Sequence, residues 1–212
     1  MALDPTDALY LRNRAGIYRT LERYEKAIED YSVALELEPD HINALYYRGD
    51  SYRQIGDDDN ALLDFQRVLD LDNEDVDAHY GIGQIRFGQG DLEGAIEQYA
   101  IAAELDPEWS SPHNSLCWSY GLLNQPEAAL PYCDAALELE PDSPYIHDSR
   151  GLSHALLGNT DDAIADFQFF VDALAESAGD ALYVEKRVAW IAALEAGEDP
   201  FTAELLAELR DE

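Results

Sequence analysis

The sequence predicts an all-α solenoid of antiparallel helix pairs, and three observations carry that expectation. The heptapeptide Ala-Leu-Glu-Leu-Glu-Pro-Asp occurs at 34–40 and again at 136–142, a separation of 102 residues or three steps of 34. Starting at Ala8, the chain divides without insertion or deletion into 8–41, 42–75, 76–109, 110–143 and 144–177. Within each step, apolar residues recur at helical spacing and are interrupted by turn residues. A fixed period of this length marks units that cannot bury their apolar faces alone and must stack.

The columns agree from step to step. One reads Ala27, Ala61, Ala95, Ala129, Ala163; another reads Ala15, Gly49, Gly83, Cys117, Gly151. A third reads Tyr31, Phe65, Tyr99, Cys133, Phe167, and a fourth Leu35, Leu69, Ala103, Leu137, Val171. Two antiparallel helices approach closely only where side chains are small. The aromatic column then fills the space beside that contact.

Taken in order, residues 1–7 come first. Leu3-Asp4-Pro5-Thr6-Asp7 matches Leu105-Asp106-Pro107-Glu108-Trp109 in register, so it reads as the tail of an upstream repeat, with a short lead-in as the alternative. Each step of 8–177 then reads as two helices. In the second, Ala44, Leu45, Tyr47, Tyr52 and Ile55 give the first helix its apolar side. Gly56 stops it by accepting the left-handed conformation, and Asp58 or Asp59 is expected to cap the next helix. That helix carries Ala61, Leu62, Phe65, Val68, Leu69 and Leu71. Gly81, Gly83, Gly88 and Gly90 of the third step fall in or just after a helix rather than after a strand, which argues against a nucleotide loop.

The period fails after 177. Residues 180–196 read as a helix with Leu182, Val188, Trp190, Ile191 and Leu194 as its apolar side. Gly197 and Pro200 break the chain, and 201–210 reads as a short amphipathic helix through Phe201, Leu205, Leu206 and Leu209. Residues 178–212 are therefore expected to cap the array with a polar outer face, a partner-docking tail being the alternative.

The repeat resembles that of the tetratricopeptide repeat (TPR) family. The carrying residues are Leu45, Arg48-Gly49, Tyr52, Gly56, Ala61, Phe65 and Val68-Leu69, with Ala34-Leu35-Glu36-Leu37-Glu38-Pro39. The resemblance implies a right-handed superhelix whose first helices line a concave, peptide-gripping groove. Carried over slot by slot, that groove is expected to hold Arg12, Asn13, Gly16 and Arg19 in the first repeat. Asn43, Tyr46, Tyr47, Asp50 and Arg53 follow in the second, and Asp77, Tyr80, Gln84 and Phe87 in the third. The fourth contributes Ser111, Asn114, Trp118 and Leu122; the fifth, Tyr145, Asp148, Ser149 and Leu152. The lysine, asparagine and arginine clamp by which some relatives hold acidic chaperone termini is not matched. Arg12 stands in its first slot, but Gly16, Asp77 and Gly81 fill the others.

Charge narrows the partner class. The chain carries 45 acidic and 13 basic residues, a net of −32, which repels phosphate backbones and anionic lipid heads. Only Lys26 and Lys186 are lysines; such a balance would suit a high-salt cell, although a soluble acidic protein is the blander reading. Eight of the basic residues fall in 12–67. Arg12, Arg19 and Arg53 are expected either to form a local positive pocket for carboxylates or only to neutralise neighbouring acids. The remaining carboxylates read as solvated helix faces and turns. No run of 18 apolar residues exists, and Met1 opens neither a basic region nor an apolar one. The chain as given therefore reads as cytoplasmic, and export as part of a longer protein stays open.

No catalytic motif stands out, so no enzyme activity, cofactor or metal is expected. His79, His113 and His147 share a column. Equivalent atoms in stacked helices lie about 10 Å apart, too far for one zinc ion, so they are expected to pack between helices. Cys117 and Cys133 stand in the small and aromatic columns of one repeat. A buried reduced pair is expected, with a disulfide open if the protein is exported. The functional expectation is a scaffold that binds a partner peptide or helix in the groove. A spacer or self-association module, or the regulatory domain of a larger protein, is the alternative.

Overall fold

A computed structural model of the protein describes residues 7–211. The echo at Leu3-Asp4-Pro5-Thr6 lies outside the described residues. The chain forms two compact units, Met1–Ile85 and Arg86–Glu212. The first contains α1 (Ala8–Thr20), α2 (Tyr24–Leu37), α3 (Ile42–Gln54), α4 (Asp58–Leu71) and most of α5 (Val76–Gly88). The second contains α6 (Leu92–Leu105), α7 (Ser110–Leu122), α8 (Pro126–Leu139), α9 (Pro144–Leu156), α10 (Thr160–Leu174), α11 (Ala181–Glu195) and α12 (Ala203–Glu208). A single 3-10 turn, Leu209–Asp211, follows α12. No strand occurs among the described residues, and none of their helices is long and apolar enough to cross a membrane.

The period sets where helices begin. The odd helices α1 to α9 start at Ala8, Ile42, Val76, Ser110 and Pro144, each 34 residues after the last. Side-chain caps satisfy the free N–H groups at several of these starts. Asp7 accepts from Leu9 N, and the ring nitrogen of His41 accepts from Ala44 N. The cap of α4 is Asp57, accepting from Asn60 N, rather than Asp58 or Asp59, which lie inside the first turn. The turn inside each helix pair needs one left-handed residue. Gly56, Gly90 and Gly158 supply it without steric cost, whereas Glu22 and Asn124 adopt φ of 55° and 56° in the same column.

In the second, fourth and fifth pairs the small and aromatic columns meet, 16 residues apart. A Cβ on Gly49 would lie 3.0 Å from the Phe65 ring, and one on Gly151 would lie 2.9 Å from Phe167. In the α7/α8 pair the same two columns carry Cys117 and Cys133, whose Cα atoms are 5.0 Å apart, and the two are joined as a disulfide. This corrects the expectation of a reduced pair: the close contact that elsewhere demands glycine brings the two sulfurs into bonding range.

A second pairing uses the neighbouring columns at the same offset. Arg14 forks onto Asp30 with two hydrogen bonds of 2.6 Å. Arg48 does the same to Asp64 at 2.7 and 2.6 Å, and Arg150 to Asp166 at 2.8 Å twice. All three carboxylates are buried, so they are not the solvated acids expected from composition. A buried carboxylate is tolerated here because a planar guanidinium satisfies both oxygens. In the third and fourth pairs Ile82/Gln98 and Leu116/Tyr132 occupy these positions instead.

Helix α11 departs from its expected face. Trp190, Ile191 and Leu194 are buried, but Leu182 is 61% exposed and Val188 49%. The outer side of the terminal segment is therefore not uniformly polar. The buried companion of Trp190 is Arg187, only 3% exposed. Its guanidinium donates to both oxygens of Asp148 at 2.8 and 2.6 Å and lies 4.4 Å from the Trp190 ring centroid. Burial of a charge is offset there by a bidentate partner and an aromatic face.

Candidate functional site

In the first unit, α1 and α3 bring the expected arginines and tyrosines together. Arg19 donates to Asp50 at 2.7 Å, and Arg53 reaches the other oxygen at 2.8 Å. The Arg19 guanidinium also lies 4.3 Å from the centroid of the Tyr47 ring. Tyr47 stacks at 6.3 Å on Tyr31 and meets Tyr46 edge-on at 5.2 Å; Tyr46 continues onto Phe65 at 5.7 Å. Arg12 pairs with Glu38. Each of the three arginines therefore faces an acid of the chain itself.

The charges shift accordingly. Burial alone would raise the Asp50 carboxyl, but the hydrogen bonds from Arg53 and Arg19 outweigh it and hold the group below its usual range. Burial raises the Tyr46 hydroxyl, and the nearby carboxylates of Asp77 and Asp50 push it further in the same direction. Both groups keep one charge state at neutral pH, Asp50 ionised and Tyr46 protonated. Asn13 and Asn43 are exposed, as is Tyr47 at 37%. Tyr80 and Gln84, on α5, are half-buried.

In the second unit the expected face is assembled differently. Phe87 and Trp118 pack against an apolar cluster that contains Leu122, Leu152, Trp190, Phe201, Leu206 and Leu209. Leu122 and Leu152 are fully buried, Asp148 is taken by Arg187, and Tyr145 donates to Asp180 at 3.2 Å. Asn114, one turn before Trp118, has its side-chain oxygen buried without a hydrogen-bond partner. Sequence reasoning missed that residues after 180 cover this face. The apolar spacing of 201–210 was visible, but its docking place depends on a return of the chain across the unit.

The histidine column has a shared role. His79, His113 and His147 each direct Nε2 to the carbonyl six residues earlier, on Asn73, Pro107 and Pro141, at 3.2, 3.2 and 3.1 Å. They tie the turn between helix pairs to the following helix. His147 also stacks on Phe169 at 4.0 Å and meets Asp166 through Nδ1 at 2.6 Å. Among the described residues no group of three or more His, Cys, Asp or Glu is placed to hold a metal ion.

Sequence models of the family described as TPR repeat match residues 15–56 and 49–90, and those described as Tetratricopeptide repeat match 76–108 and 119–181. The chain belongs to the tetratricopeptide repeat family. Solved TPR structures resemble it in fold. A crystal structure of MamA protein shares 20% identity over 81% of this chain and 94% of that one, with a TM-score of 0.69. TTC0263, a thermophilic TPR protein in Thermus thermophilus, shares 18% over 86% and 100%, at 0.67. YrrB, described as a TPR protein with an unusual peptide-binding site, shares 22% over 85% and 93%, also at 0.67. No curated protein matches the chain. The TPR family is one of protein-interaction scaffolds, and this chain carries that scaffold.

Proposed function

We propose that the chain is a non-enzymatic scaffold that captures a partner peptide on the first-helix face of its repeats, with the α1/α3 face as the principal contact. The observation that carries this reading is the exposed Tyr47 ring, held rigid between Arg19, Tyr31 and Tyr46. Preordered aromatic faces bind apolar side chains at low entropic cost. Asn13 and Asn43 flank them with donors and acceptors for an extended backbone. Because Arg12, Arg19 and Arg53 are already matched to acids, the face favours apolar and amide contacts over a carboxylate. The likeness to YrrB, whose description names a peptide-binding site, points the same way.

The test uses variants that spare the ion pairs. Tyr47→Ala with Asn43→Ala should weaken capture of library-selected peptides at least about tenfold, one hot-spot side chain being worth about 1–2 kcal/mol, while helicity stays unchanged. Unaltered capture would refute the assignment.

A second reading, self-association, has its own observation. Ile17 is 60% exposed, whereas its column mates Ser51, Ile85, Ser119 and Ser153 are buried. Leu9 of the same helix and Leu21 at its C-terminal cap are exposed as well, so α1 with its cap presents three apolar side chains to solvent. A second copy seated there would make sedimentation depend on concentration, and Ile17→Asp would remove that dependence. The Cys117–Cys133 bond favours the exported alternative over a cytoplasmic site, since such bonds persist in oxidising compartments.

A further inference from the structure

The C-terminal residues 201–210 occupy the face that the family resemblance assigns to ligands. Phe201, Leu206 and Leu209 are buried in one cluster with Leu122 and Leu152, on which Trp118 and Phe87 also pack, and the Phe201 ring meets Trp190 edge-on at 5.0 Å and Phe167 at 6.0 Å. Arg210 donates to the carbonyl of Leu122 at 3.0 Å, 88 residues away in sequence. The outward side of the segment is Ala203, Glu204, Ala207 and Glu208, all exposed. It is joined to α11 by Gly197, Glu198, Asp199 and Pro200; the first three are exposed, and Gly197 has a φ of 77°.

Three physical points follow. Helix α12 has six residues, too few to persist without the surface it rests on. Its contacts are apolar, with one hydrogen bond to a backbone carbonyl, so its hold does not depend on the acid load of the chain. Its tether, Gly197 to Pro200, is short, and a short link holds a ligand at high effective concentration, so a modest intrinsic affinity keeps the face filled.

We infer that residues 201–210 are a displaceable, built-in ligand of the second unit's first-helix face. The partner this face fits is a short amphipathic helix with an aromatic residue followed by leucines at the spacing of Phe201, Leu205, Leu206 and Leu209. The inference rests on the groove reading above for the kind of surface involved, but it concerns the other unit. The same face is closed to free peptide until the segment leaves.

The test keeps the full chain. Leu206→Glu with Leu209→Glu releases the segment, and the probe is a fluorescein-labelled peptide of residues 198–211 with the natural sequence. The released variant should bind the peptide at least about tenfold more tightly than the unaltered chain, which has to displace its own tethered copy. Adding Trp118→Ala should remove that binding, while helical signal and a cooperative melt are retained throughout. Binding no tighter than that of the unaltered chain overturns the inference. So does loss of the cooperative melt in the released variant, which would make the segment a fixed cap, or binding indifferent to Trp118→Ala. If the inference fails while capture that depends on Tyr47 persists, the groove reading stands and only the built-in ligand is lost.

Discussion

The two units put the same repeat to different use on their first-helix faces. In Met1–Ile85 the face is polar and satisfied within itself: one carboxylate, Asp50, sits between Arg19 and Arg53, and a tyrosine lies open beside them. In Arg86–Glu212 the face is apolar and is covered by residues that follow the repeats. A single column shows the cause. Asp50 occupies it in the second repeat, Trp118 in the fourth and Leu152 in the fifth. A scaffold fixed by its small and aromatic columns leaves this column free to vary, and its identity decides whether the face pairs charges or takes in an apolar segment.

The largest effect should break the comparison at its buried charge. Asp148→Ala leaves Arg187 buried without its carboxylate and should cost about 3–5 kcal/mol in urea unfolding. Asp50→Ala leaves two arginines that are each about one-quarter exposed, so it should cost clearly less, about 1–2 kcal/mol. Equal losses would mean that the two faces are not energetically distinct.

The next effect belongs to the second unit alone. Reducing the Cys117–Cys133 bond opens a loop with a sequence separation of 16. Loop-closure entropy puts that loss at about 3 kcal/mol, so a reductant should lower the melting midpoint. Hydrogen exchange should localise the loosening to α7 and α8 and leave α1 to α4 unchanged.

Acid should act on the open face through Asp50. The folded Asp50 carboxyl sits below its unfolded value, so the stability it contributes is present above the ordinary carboxylate range, about pH 4. It is lost as pH falls from there through the lowered folded value. An acid titration of the intact chain should lose that increment, and Asp50→Asn should flatten the dependence. The smallest effect is a gain: Glu22→Gly should stabilise the first unit by up to about 1 kcal/mol by relieving a left-handed glutamate.

Much of the fold is legible in the sequence because the period is a packing rule. Glycine opposite phenylalanine at a fixed offset is a steric statement, and the period it belongs to locates the helix pairs. The same offset joins Cys117 to Cys133 and Arg48 to Asp64, so the disulfide and the buried ion pairs are written in the columns too. Composition alone points instead to free thiols and solvated acids. Arg187 is hidden for a different reason. Its burial depends on Asp148, 39 residues away, and nothing local marks an arginine as the core residue in place of Leu182 or Val188. The docking of 201–210 is likewise tertiary. At the candidate face, sequence slots name Arg19, Tyr46, Tyr47, Asp50 and Arg53 together, but which of them stay open is set by partners such as Tyr31 that lie outside the slots.

The most direct test of partner capture is a peptide library displayed on phage, selected against the intact chain and then measured against Asn43→Ala/Tyr47→Ala. The account predicts that the selected peptides lose at least about tenfold in affinity for the variant, whose helical content and melting midpoint match those of the unaltered chain. Peptides that bind both proteins equally would place the capture surface elsewhere and contradict it.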